Sequence, residues 1–245
     1  MKKTNWLMLA GFVVAAVLLR ILQDLTGFEE SGLAKRGNLP SVLLVLVLIS
    51  AAAYFFAVSR RLPARREGID LAGNFAFQNM TAVFCAVTGS FLVMVSGVAS
   101  VIGGSGALKT LLLAIVAIAA GVGMLYAVFA LYRGGETPGL ALLIPVCALI
   151  AYFIYLYRTG YSDPVLARVY VKVLATASLM LSAAELAAFA FCTGSPRVWL
   201  PVTAVAVVLS LTMAADRDSL ASVLLYVGSA LIGIGFLASA RFEEP

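Results

Sequence analysis

The chain has 245 residues, of which 62% are hydrophobic and 12% charged, with a net charge of +5 and a mean hydropathy of +1.04. A soluble domain carries about 45–50% apolar and about 25% charged residues, and a water-facing globule of this length cannot hide so much apolar surface. What remains is an all-α, polytopic membrane helix bundle; a transmembrane β-barrel is excluded because apolar residues run unbroken instead of alternating with polar ones.

Eight apolar segments follow one another as one transmembrane domain: about 6–25, 40–59, 74–102, 108–132, 138–157, 164–192, 196–214 and 220–240. Each approaches or exceeds the roughly 20 residues that span a bilayer. The first is preceded by Lys2 and Lys3, as a signal peptide would be. Arg20 then falls where a small-residue cleavage site belongs, so a retained helix is expected, with a count of seven as the alternative. Pro40, Pro138, Pro164 and Pro196 stand near helix starts, where a missing N–H costs nothing. Asp163 and the Asp218-Ser219 pair are expected N-caps. "AYFFAVSRR" (Ala53–Arg61) and "AYFIYLYRT" (Ala151–Thr159) form a weak repeat, inverted across the membrane, of a kind that transporters use. Four arginines between Arg60 and Arg66 resist translocation, which puts both termini in the cytoplasm of a cell-membrane protein. Trp6, Trp199, Tyr132, Tyr155 and Tyr157 are expected in the interfacial aromatic belt.

The residue inventory removes several chemistries. There is no histidine, hence no histidine-based catalysis or metal site. Cys85, Cys147 and Cys192 lie in three separate apolar segments and read as buried free thiols. No phosphate-cradling loop or nucleophile elbow is present. An enzyme is therefore the least expected class, and no cofactor, metal or nucleic acid is implied. The basic residues sit in loops and at helix ends, where they meet lipid headgroups.

Two polar stripes carry the functional expectation. On the third segment Asn74, Gln78, Thr81, Cys85, Thr88 and Ser96 recur at helical spacing. On the sixth, Arg168, Ser178, Ser182 and Glu185 lie near one face, and Glu185 is the one acid well inside an apolar segment. A charge at that depth costs at least about 2.5–3.5 kcal/mol, so it is neutral, paired or facing water. Arg20 and Asp24 stand four apart and can pair. With Arg158, Tyr161 and Arg168 they form a candidate outer mouth. The reading is a protein that binds or transports a small solute between the third and sixth segments, with Glu185 as the coupling group. The alternative is a non-transporting subunit, assembly factor or sensor that meets partner helices, or its own copies, through small-residue faces such as Ala117/Gly121 and Ser229/Gly233. Pro145 and Pro201 are expected to break backbone hydrogen bonds inside their helices.

Overall fold

A computed structural model describes residues 3–26, 38–64, 71–103, 108–134, 139–160, 166–216 and 219–242, without the side chains of 159, 160 and 166–168. Nine helices follow in these residues: α1 (Lys3–Thr26), α2 (Leu39–Ser59), a short α3 (Leu71–Asn74), α4 (Met80–Gly103), α5 (Leu108–Tyr132), α6 (Gly139–Gly160), α7 (Leu166–Ala190), α8 (Pro196–Ala214) and α9 (Leu220–Ser239). All but α3 are long and apolar enough to cross a membrane, giving the eight spans of a multi-pass membrane protein.

The helix starts follow their chemistry. Pro40 and Pro196 occupy the first positions of α2 and α8, and Ser219 accepts the backbone N–H of Ser222 at the start of α9. Pro138, Asp163, Pro164 and Asp218 lie outside the described residues. The third apolar segment is not one helix from Asn74. Its backbone leaves the helix at Phe75 and re-enters it at Met80, where Asn79 Oδ1 accepts the N–H of Thr81 at 3.0 Å. Asn79 thus acts as the cap that continuous helical periodicity concealed.

Six helices close on themselves. α4 packs on α5, α5 on α6, α6 on α7, α7 on α8, α8 on α9, and α9 returns to α4. α1 and α2 pack on each other and on α8, outside this ring. α2 therefore stands outside the ring and α6 within it, so the weak sequence repeat does not occupy equivalent places. The seam between α4 and α9 is the most extensive helix contact, and glycines make it possible. A Cβ on Gly89 would stand 2.5 Å from the Gly228 carbonyl oxygen, one on Gly228 2.7 Å from that of Gly89, and one on Gly235 2.8 Å from that of Ala82. In lipid, helices gain from such close backbone approach because no hydrophobic drive distinguishes a neighbour from an acyl chain.

The outer surface is apolar. Leu7, Phe84 and Ile102 are more than two thirds exposed, and dozens of other large aliphatic and aromatic side chains share that surface. Tyr132, Tyr155 and Tyr157 lie on it too. Trp199 does not: it is 1% exposed and sits inside the bundle. Among the described residues there is no disulfide; Cys85 is half-buried and Cys147 and Cys192 are exposed, which corrects the expectation that all three are buried.

Candidate functional site: a cavity inside the helix ring

The interior of the ring is not fully packed. A cavity of about 100 Å³ has walls from all six ring helices, α4 contributing through Val93 and the other five through several residues each. Small side chains leave the space: Ala117 and Ala120 on α5, Ala148 on α6, Ala183 on α7, Ala206 on α8 and Gly233 on α9 all face it. Pro145 of α6 is also on the wall. Lacking an N–H, it leaves the Ala141 carbonyl without its intrahelical donor. α5 lies against that carbonyl at Gly123, whose added Cβ would stand 2.7 Å away.

One end of the cavity is floored by aromatic rings. Trp199 and Phe236 line it, and Phe75 lies beneath both, at centroid distances of 4.9 and 5.6 Å and steep interplanar angles of 76° and 77°. Phe189 and Phe242 complete the layer around Phe75 at 5.3 and 5.7 Å. Edge-to-face packing of this kind adds about 0.5–1.5 kcal/mol per pair beyond area burial. The segment carrying Phe75 is pinned by backbone hydrogen bonds from Ala76 N–H to Ser239 O and from Arg241 N–H to Asn74 O, both 2.9 Å. The Arg241 side chain also donates to Gln78 Oε1. The loop before α4 and the chain leaving α9 thus form one plug under the ring.

The cavity wall carries few polar groups and no charged side chain. Ser182 of α7 and Thr203 of α8 meet hydroxyl to hydroxyl at 2.7 Å. Ser229 of α9 lies on the wall, and so does Trp199, whose buried indole N–H meets no acceptor among the described residues. A solute here meets hydrocarbon, a few hydroxyls and one indole. The polar path expected between the third and sixth segments is replaced by an apolar chamber that α4 and α7 wall together with four other helices.

The residues singled out by sequence fall in different places. Ser182 alone reaches the cavity. Ser178 donates to the Ala175 carbonyl of its own helix. Glu185, half-buried, accepts the backbone N–H of Ser195 at 3.3 Å and so ties α7 to the start of α8. Ser195 in turn donates through its hydroxyl to Ala64 O, and Arg197 donates to Leu62 O, which gives this turn a structural role. Asn74 is buried in the plug, Gln78 holds Arg241 and is exposed, and Thr81 is exposed at the start of α4. None of the three lines the chamber: Asn74 and Gln78 precede α4, and Thr81 lies in its exposed first turn.

At the other end of the bundle, Arg20 is 1% exposed. It donates through Nε and Nη2 to both carboxylate oxygens of Asp216 at 2.5 and 2.9 Å, and through Nη1 to Gln23 at 2.8 Å. Gln23 donates to Ser41, and the charges of Asp24 and Asp216 and the phenol of Tyr170 lie within electrostatic reach of Arg20. A guanidinium buried this way is neutralised by its own chain and does not wait for a solute. Arg158 is exposed at the end of α6, Tyr161 lies outside the described residues, and so does the side chain of Arg168. Of the candidate mouth, Arg20 is thus part of a clamp between α1, α2 and the end of α8. Sequence separation hid it, since 196 positions separate Arg20 from Asp216.

Among the described residues no group of three or more acidic or cysteine side chains is placed to hold a metal ion. No protein-family model, curated protein or solved structure matches the chain.

Proposed function

We propose that this membrane protein binds a small, uncharged solute in the chamber at the centre of its six-helix ring. The observation that carries this reading is the chamber itself: six helices converge on it, small residues keep it open, and an aromatic plug closes one end. A dry apolar cavity of comparable size binds single-ring hydrocarbons in a soluble protein, and an open cavity in a helical core is otherwise a stability cost. Charged solutes are disfavoured because the wall offers them no partner. The test is thermal unfolding of the detergent-solubilised protein against small neutral aromatics. A ligand that favours the folded form raises the midpoint saturably, and the double substitution Ala120→Leu with Ala183→Leu, which fills the chamber, abolishes the rise. If the filled variant responds as the natural protein does, the chamber is not the binding site.

A further inference from the structure

Among the chamber's polar side chains, which are otherwise hydroxyls able to donate or accept, one can only donate. Trp199 is 1% exposed, lies on the wall, and its indole N–H has no acceptor among the described residues. Indole N–H only donates. One turn along the same face of α8 is Thr203, whose hydroxyl meets Ser182 at 2.7 Å. Two hydroxyls joined by one hydrogen bond use one of their two protons, so the pair keeps one proton to donate as well as lone pairs that accept. A buried donor without an acceptor is costly, and the cost falls on whichever ligand fails to supply one. No carboxylate, amine or guanidinium lines the wall to select a charged group.

We infer that the chamber takes a neutral, lipid-soluble molecule bearing a carbonyl or ether oxygen, and that Trp199 Nε1–H donates to that oxygen, with the Ser182–Thr203 pair as a second donor. This rests on the chamber being a binding site. Trp199 also forms the floor against Phe75, at 4.9 Å between ring centroids, so the ligand's polar end lies at the plug and its apolar body among the alanines of α5 and α7. Of the hydrophobic molecules a bilayer holds, this selects ketones, esters and quinone-like rings over plain hydrocarbons.

The probes are acetophenone and ethylbenzene, which share one ring and nearly one shape and differ in the carbonyl. The readout is the pair of indole N–H signals of protein labelled with ¹⁵N-tryptophan in micelles, assigned with Trp6→Phe, with concentrations expressed per micelle volume. Acetophenone is expected to shift the Trp199 indole proton downfield saturably and to bind roughly tenfold more tightly than ethylbenzene, as one buried hydrogen bond warrants. Trp199→Phe removes that preference, and Thr203→Val reduces it while leaving the indole shift in place. Equal binding of both probes with an unmoved indole signal overturns the donor assignment and leaves the chamber as a hydrocarbon site. Absence of saturable binding by either probe overturns the assignment and the binding reading together.

Discussion

Cys192 is the only described residue other than glycine with a positive φ, +56°, and it sits where α7 turns into α8. The N–H groups of Thr193 and Gly194 both return to the Ala188 carbonyl, so the turn is a helix-ending motif that favours glycine at its left-handed position. A side chain there costs roughly 1–2 kcal/mol, offset partly by the freedom glycine has when unfolded. Cys192→Gly is therefore expected to raise the thermal midpoint in detergent, by up to about 1 kcal/mol of stability; a fall would show that the thiol's contacts outweigh the backbone. The Arg20–Asp216 pair gives the opposite sign. Arg20→Gln and Asp216→Asn should each cost about 3 kcal/mol, because each leaves a buried charge without its bidentate partner, and the double variant should cost less than the sum. Additive losses in a double-mutant cycle would mean the two side chains do not act on each other. At this scale the sequence spoke only locally. The four-residue step from Arg20 to Asp24 was legible, whereas Asp216 reaches Arg20 only once α8 has packed on α1.

Among the elements, α8 and α2 show how a membrane protein orders its helices. Of the membrane-length stretch of α8, 67% is buried, against 17% of α2, the more apolar of the two. The less lipid-like of the two is placed at the centre, where Thr203, Ser210 and Thr212 are wholly or almost wholly buried, and the greasier is given to the bilayer. All eight spans were readable because length and hydropathy suffice for them. The break before α4 was not, since Asn74 and Gln78 happen to keep helical spacing across it. Nor did glycine spacing reveal the seam. Ala117 and Ser229 line the chamber, while Gly89, Gly228 and Gly235 hold α4 against α9. Gly89→Leu or Gly228→Leu must push two backbones apart, and a loss of at least about 2 kcal/mol in unfolding titrations is expected. Gly11, with nothing within 4 Å of an added Cβ, is the control: Gly11→Ala should be neutral or stabilising. Equal outcomes at both sites would refute the seam.

For the molecule as a whole, the number of spans was accessible from sequence, but not which six helices form the ring, because that choice depends on shape complementarity between faces that look alike in composition. The plug carries the matching prediction. Phe75 is 1% exposed and touches four other rings, so Phe75→Ala should cost about 3–5 kcal/mol, with Phe75→Leu losing much less. Acrylamide quenching of Trp199 fluorescence should also rise in Phe75→Ala, since the floor of the chamber is opened; unchanged quenching would show that the other rings seal it unaided.

The seam between α4 and α9 has a consequence for biogenesis. A ribosome delivers α4 to the bilayer well before α9, so the glycine face that later meets Gly228 and Gly235 first lies against lipid or against whatever attends the nascent chain. The ring gains its last wall, and the Phe75 segment its anchors at Ser239 and Arg241, only when α9 and the residues after it arrive. Arrival of α9 therefore closes the ring around the chamber, and a chain interrupted before α9 lacks one of the six walls.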